Sequence, residues 1–485
     1  MELILESFQI MLTPRFSLAQ SEEFLTVTIY APFTHIDQTE IFMDECDFRF
    51  FSKPYYLRLH LPGPVTESEA ASGSWDAETN SFVVKCPKVN IGQNFPGLDM
   101  LTQLLMPKGE TQVRNQVEVI GGDDEEEESD DEADIDWYYE QKISEDSIPV
   151  TDGVDGYGFA FKHRDVYKRL LAEYAEIVDL IDPDNMTQLQ RDTARKEKEL
   201  TDFNSDHYLC DMYDSVDEIE ECLAYVSPLR ACITSPENED SITVNQAHPC
   251  LSFTKEEQEQ LLALPTKKLV VSSSNLPSVH LGLADLLYGY SYSIRVLGKD
   301  CVEMGWCCAK ISSTLSCLAR FNTPRQVVIT GIRRALSYPL LRHWDLAITT
   351  WRDVVLFLKL GKAAIIKCLL SIMPAMNSAP GYYIFNQLYL YDYATWLQTV
   401  PESHMVSLAG TIERVLEKIT KEDVGLDLPE LEEAARLTLQ EEEEEKTVNN
   451  LVVGLTSVRV SEAVDSDDDS EEGSTDSEES DSVEE

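Results

Sequence analysis

The sequence predicts a multidomain chain: an all-β sandwich near the N-terminus, followed by a large irregular all-α domain. Three observations carry that expectation. Apolar residues alternate with period two over residues 11–107, they recur at helical spacing from residue 156 onward, and a run from Asp123 to Asp136 with 11 acids and no base separates the two regimes. Period two points successive side chains to opposite faces of a strand, whereas spacings of three and four collect them on one face of a helix.

In the first part, Leu25, Val27 and Ile29 alternate with Thr26, Thr28 and Tyr30; Leu57, Leu59 and Leu61 alternate with Arg58 and His60; Phe82 and Val84 alternate with Val83 and Lys85. Ala31-Pro32, Lys53-Pro54, Pro62-Gly63-Pro64, Ser72-Gly73-Ser74 and Cys86-Pro87 supply turns between them. Short strands with frequent turns and no long helix read as an antiparallel sandwich over 11–107. Residues 108–155 read as an acidic disordered linker, because like charges repel and nothing apolar offsets the ordering entropy. Trp137, Tyr138 and Tyr139 beside the acidic run read either as the start of the next domain or as a docking element.

Residues 156–429 read as the helical domain. Val166, Leu170, Tyr174, Ile177, Val178 and Ile181 share one helical face, which Asp182-Pro183 ends. Ser215 with Glu218, and Thr254 with Glu257, have the spacing of capping boxes. Thr323-Pro324 puts proline at a first helical position, where its missing N–H costs nothing. Helices are expected at 278–298, 302–319, 325–337, 340–373, 383–398 and 403–420, with prolines at 228, 265, 277, 339, 374 and 401 separating several of them. No fixed period appears, so a regular solenoid is not expected. Residues 430–485 read as an acidic C-terminal helix and tail. The apolar island Val448 to Val460, with Leu451, Val453 and Leu455, reads as a short strand or coil on its own domain, or as a segment that docks on a partner.

The charge narrows the function classes. Asp and Glu number 88 against 39 Lys and Arg, a formal net charge of −49, and Glu462 to Glu485 adds 13 acids without a base. Such a chain repels phosphate, so no direct nucleic-acid contact is expected and a basic protein partner is. The 11 cysteines form no C-x-x-C pair and lie mostly among apolar residues, which suits small hydrophobes in a reduced compartment. Met1 to Leu12 lacks a basic n-region, and the longest apolar run, Ala363 to Met373, is broken by Lys367. A soluble monomer in cytosol or nucleus is the expectation.

Catalytic signatures are missing from the sequence. Gly361-Lys362 and Gly298-Lys299 lack the rest of a P-loop; Gly153, Gly156 and Gly158 are not spaced for a dinucleotide; the eight histidines are dispersed. His207 with Cys210 and His248 with Cys250 have no second pair at zinc-site spacing. No catalytic, cofactor or metal residue is therefore assigned. Two features remain. Arg333, Arg334, Arg342, His343, Arg352 and Lys359 concentrate positive charge among Tyr338, Trp344 and Trp351. Arginine and aromatics mark interfaces, but arginine stems also cover cores and form internal ion pairs. Arg333, Arg334, Tyr338, Arg342 and His343 are thus candidate partner contacts or the support beneath them, with Leu451, Val453 and Leu455 as a second candidate group. Ser129 and Ser466 precede acids as acidophilic kinases prefer, so they are candidate phosphorylation sites.

The stretches Met11–Leu18, Asp47–Gly63, Gly97–Thr102, Asp206–Leu209, Arg333–Leu340 with Arg342 and His343, and Leu360–Leu369 resemble the Shq family in content and order. The likeness spans 11 to about 440, with residues 1–10 preceding the family's usual start. These proteins are assembly chaperones of box H/ACA ribonucleoproteins. The resemblance implies a small-heat-shock-like CS domain, followed by a helical domain that grips free dyskerin, a pseudouridine synthase, over the surface that later receives guide RNA. It implies no cofactor, a nucleoplasmic and cytosolic location, and helper ATPases of the AAA type for release. An alternative is a CS-domain adaptor that recruits heat-shock chaperone machinery to general clients.

Overall fold

The computed structural model describes residues 12–32, 34, 39–68, 70–76, 79–106, 155–170, 177–233, 251–298, 302–338 and 340–461, with backbone only at 449 and 451–461. The expected linker at 108–155 therefore falls outside the described residues except for Asp155, and Ser129 and Ser466 fall outside them too.

The first part is all-β, as expected. Strands β1 (Arg15–Gln20), β2 (Phe24–Tyr30), β5 (Ser72–Asp76) and β6 (Ser81–Pro87) form a sheet ordered β1-β2-β6-β5. β3 (Glu40–Ser52) and β4 (Tyr55–Val65) form the facing pair, and every pairing is antiparallel. The alternation survives intact: Leu25, Val27 and Ile29, with Phe82 and Val84 beside them on β6, share one closed core with Leu57, Leu59 and Leu61 of the facing pair. A short helix α1 (Leu101–Leu105) closes this core and also leaves it, packing on α5 (Lys255–Leu262) of the helical part. There Thr102 Oγ1 donates to the Leu261 carbonyl at 2.6 Å, the Gln103 N–H donates to Gln398 Oε1 at 3.2 Å, and Leu262 packs against the sandwich core.

The helical part runs α2 (Gln188–Asp202), α3 (Ser205–Tyr213), α4 (Val216–Ala224), α5, α6 (Leu276–Leu297), α7 (Met304–Ile311), α8 (Ser313–Ser316), α9 (Pro324–Ser337), α10 (Trp344–Leu360), α11 (Lys362–Ser378), α12 (Tyr391–Leu397) and α13 (Glu402–Leu416). α6 and α10 form its centre: α6 touches α7, α9 and α10, and α10 touches α9, α11 and α13. Gly331 makes the meeting of α6, α9 and α10 possible. A Cβ there would sit 2.8 Å from Trp351 and 3.0 Å from Tyr288, whose rings stack with centroids 4.5 Å apart.

Several elements differ from the sequence reading. Of the helix expected from Val166 to Ile181, Tyr167–Arg169 form a 3-10 turn and Ile177 is helical, whereas Ile181 lies in a bend and is 90% exposed; 171–176 lie outside the described residues. Ser215 precedes α4 but its side chain caps nothing, because its backbone is not extended there. Thr254 and Glu257 do form a capping box, and so do Thr187 and Gln190 at the head of α2. The expected helix 302–319 breaks at Ser312, where buried Asp285 accepts from Ser312 Oγ at 2.6 Å and from the Thr314 N–H at 2.7 Å. The expected helix 340–373 breaks at Gly361, whose φ of +92° favours glycine. Pro374 does not separate helices; it lies inside α11, where buried Met373 and Met376 hold the chain helical across it. The island Val448 to Val460 is neither strand nor coil: it is the far end of one 34-residue helix, α14 (Leu428–Ser461), a unit of its own.

The α1–α5 contact is testable in the intact protein. Leu262→Asp should speed amide exchange at residues 101–105 at least about tenfold, because burying an uncompensated charge there opens the contact. The ladder between β2 and β6 should keep its protection. Unchanged exchange at 101–105 would mean that the contact holds nothing.

Candidate partner-binding surface

Neighbouring residues on a helix point about 100° apart, so Arg333 and Arg334 on α9 look in different directions. Arg334 points inward and is completely buried. Its guanidinium donates to Asp179 Oδ2 at 2.7 Å, to Ser316 Oγ at 2.8 Å and to the Lys310 carbonyl at 2.8 Å, and lies 3.8 Å from the Tyr338 ring centroid. Lys310 Nζ meets the other Asp179 oxygen at 2.7 Å. Burial would push the Asp179 carboxyl up, but Arg334 and Lys310 outweigh it and hold Asp179 below the usual carboxylate range. Burial likewise pushes the neighbouring Cys317 thiol up to about 11, so it stays a thiol.

Arg333 points toward α2. Its Nε meets Glu199 Oε2 at 2.8 Å and its Nη1 donates to the Val424 carbonyl at 2.7 Å. Glu199, fully buried, is also held by Arg195 at 2.8 and 3.0 Å, one turn earlier on α2. Four cations therefore share two buried carboxylates. Beyond α9 the chain is pinned by Tyr292, whose hydroxyl donates to the Leu341 carbonyl at 2.8 Å, and by Asp211, which accepts from the Arg342 N–H at 2.8 Å and from its guanidinium at 3.0 Å. His343 then stands at the N-cap of α10 without capping it.

The structure thus brings Arg333, Arg334, Tyr338 and Arg342 together, but mostly as interior supports. Arg334 and Tyr338 are buried and cannot touch a partner from where they lie; the Arg333 side chain is 13% exposed and that of Arg342 16%. Lys359 is paired with Glu413 at 2.8 Å, whereas Arg352 is exposed and, among the described residues, no ion pair holds it. Leu451, Val453 and Leu455 lie on the last turns of α14, where only the backbone is described.

What faces solvent is the seam between α2 and α9. A groove there is lined by Lys196, Leu200, Gln326, Ile329, Arg333 and Val424. Leu189 and Leu200, 77% and 61% exposed, share the outer face of α2 with Thr193 and Lys196. Sequence reading missed this face. The signal was the Thr187–Gln190 capping box, which marks a helix start two residues before Leu189. Among the described residues no group of three or more His, Cys, Asp or Glu could hold a metal ion, and no helix is long and apolar enough to cross a membrane.

A CS-type sandwich docked on an irregular helical domain braced by buried ion pairs defines a class of two-part protein rather than a catalytic centre. Comparison with known proteins makes it specific. A family model described as SHQ1-like, CS domain, matches residues 13–105, and one described as SHQ1 protein, Shq1 domain, matches 243–428. The chain is 35% identical to a protein SHQ1 homolog of Xenopus tropicalis over 439 residues, covering 89% of this chain and 71% of that one. It is 32% identical to protein shq1 of Schizosaccharomyces pombe over 459 residues, covering 90% and 99%, and 30% identical to the Caenorhabditis elegans homolog, covering 88% and 97%. The chain belongs to the SHQ1 family. Arg333, Arg334, Tyr338, Arg342 and His343 lie within the second matched span, whereas Asp179, Arg195 and Glu199 lie between the two.

Two outcomes check this assignment of roles. Because Asp179 is held below its ordinary value of 3.8, it stabilises the fold above that pH and ceases to as pH falls through its lowered pKa. The stability gap between wild type and Asp179→Asn should therefore be constant from about pH 8 to 5 and shrink below about pH 4, as read by urea titration. A gap independent of pH would contradict the ion pair. Arg342→Glu should lower the melting temperature by several degrees, since it sets a second carboxylate against Asp211; an unchanged melting temperature with weakened partner binding would make Arg342 a contact instead.

Proposed function

We propose that the protein is a non-catalytic assembly chaperone. It binds free dyskerin-type pseudouridine synthase in nucleoplasm and cytosol as an RNA placeholder, and leaves before small nucleolar and telomerase box H/ACA ribonucleoproteins mature. Membership of the SHQ1 family supports this reading, and one physical observation carries it. The helical part balances its buried charge internally: Arg195, Arg295 and Arg334 lie buried against Glu199, Asp353 and Asp179. The net charge of −49 therefore stays outside, and the exterior is strongly anionic. Such an exterior repels free RNA yet complements a cationic RNA-binding surface on another protein. It acts as a monomer, takes no cofactor and needs no direct nucleic-acid contact; release from so large a complement calls for AAA-type ATPase helpers. An adaptor that hands general clients to a heat-shock chaperone would instead engage partners through the sandwich alone.

Competition separates the readings. Titrating H/ACA guide RNA into a preformed complex of the full-length chain and the synthase should displace one by the other. RNA binding should weaken steeply with salt through counterion release, and the chaperone contact less so. A stable ternary complex with RNA on its usual surface would refute the placeholder role.

A further inference from the structure

The helical part holds a second cleft, away from the α2–α9 seam, between the stretch 225–229, α5, α6, α10 and α11. Its volume is about 970 Å³, at the upper end of the roughly 300–1,000 Å³ of ligand sites. Tyr290, Ile294, Phe357 and Leu370 supply apolar wall, and Val302 stands at its mouth 77% exposed.

Most polar groups of the cleft are already held, although Gln260 Oε1 is buried there without a hydrogen-bond partner among the described residues. Asp353 is held by Arg295 at 2.6 and 2.8 Å and by Ser291 Oγ at 2.8 Å. Glu257 closes the capping box of α5 and meets Lys367 Nζ at 2.5 Å, tying α5 to α11. These pairs fix the walls and cancel each other's charge. Glu256 is exposed, and among the described residues no ion pair holds it. It stands in the first turn of α5, where its own backbone N–H and the Thr254 hydroxyl hold its carboxyl below the usual range, so it is charged at neutral pH. Among the described lining residues the unbalanced charge is therefore negative, set beside an apolar hollow.

We propose that this cleft receives a short segment of the basic partner protein, an apolar side chain seated against Ile294, Phe357 and Leu370 with a neighbouring Lys or Arg on Glu256. The charge chooses the occupant: an apolar anchor alone would leave Glu256 unanswered, and an acidic segment would be repelled by it and by a chain of net charge −49. The identity of the partner rests on the function proposed above; the place and chemistry of the contact do not.

Three full-length proteins decide it: wild type, Glu256→Lys and Ser378→Trp, the last filling the cleft from its exposed edge. Both substitutions are at the surface, so the melting temperature should stay within about 2 °C of wild type. Each should weaken binding to the purified synthase by at least about tenfold in calorimetry, and a photoreactive residue at position 302 should cross-link a synthase segment with an apolar residue next to Lys or Arg. If wild type binds and both variants bind equally, the cleft is not a contact and this inference fails while the chaperone reading stands. If wild type does not bind the synthase, the chaperone reading fails, and fluorescent peptides decide the cleft. Leucine–lysine peptides that bind wild type but not Glu256→Lys sustain it; equal binding of leucine–glutamate peptides, or none, overturns it. Self-association of wild type that Ser378→Trp abolishes would overturn it as well, making the cleft an interface between copies.

Discussion

Two buried carboxylates, Asp179 and Glu199, decide how the first third of the helical part attaches to the rest. α2 has no apolar face with which to dock: its buried residues are Arg191, Arg195 and Glu199. Hydrophobic burial, which assembles most helices, is not what holds this one. Charge is. Glu199 joins Arg195 of its own helix to Arg333 of α9, and Asp179 joins Arg334 of α9 to Lys310 of α7. Buried ion pairs add little net stability because desolvation offsets the attraction, yet each leaves one geometry far better satisfied than any other. α9 is thereby fixed against α2 on one side and α7 on the other, and the outer face of α2 is presented at a defined angle.

This arrangement also connects stability to the exterior. Because the buried cations are matched by buried carboxylates, the interior is close to neutral and the surface carries the acidic excess of the chain. The same economy appears at Arg295, which closes on Asp353 and also donates to the Cys222 and Tyr225 carbonyls at 2.8 and 3.1 Å, tying the end of α4 to α6 and α10. The sandwich is set on this braced body by the Thr102 hydroxyl and Leu262 at α5, by Gln398 beyond α12, and by an ion pair from Arg15 of β1 to Glu259 of α5.

The sandwich was legible in the sequence because period two is local: one look at Leu25, Val27 and Ile29 gives the face they bury. The central helices were legible for the same reason, since apolar spacing and Thr-Pro or Thr-x-x-Glu starts are read within a single turn or two. Helix ends set by distant groups were not. Nothing near Ser312 announces that Asp285, 27 residues earlier, takes its hydroxyl and breaks the helix. The inside of α2 was the least legible, for Arg191, Arg195 and Glu199 spell a solvated face until Arg333 is brought to them from 134 residues away. Of the basic–aromatic cluster, Arg333, Arg334, Tyr338 and Arg342 come together. Its burial was not readable, because the acids that absorb it, Asp179, Glu199 and Asp211, come from three separate segments.

The central claim is that Arg334 belongs to the interior and that its bond to Asp179 braces the domain. A double-mutant cycle with Arg334→Met and Asp179→Leu measures that bond directly. Each single change strands a buried charge and should cost about 3–5 kcal/mol in urea unfolding. The double change strands fewer, so it should cost less than the two together, with a coupling of about 2 kcal/mol or more. Additive effects near zero, with Arg334→Met weakening partner binding at full stability, would contradict the claim and return Arg334 to the surface.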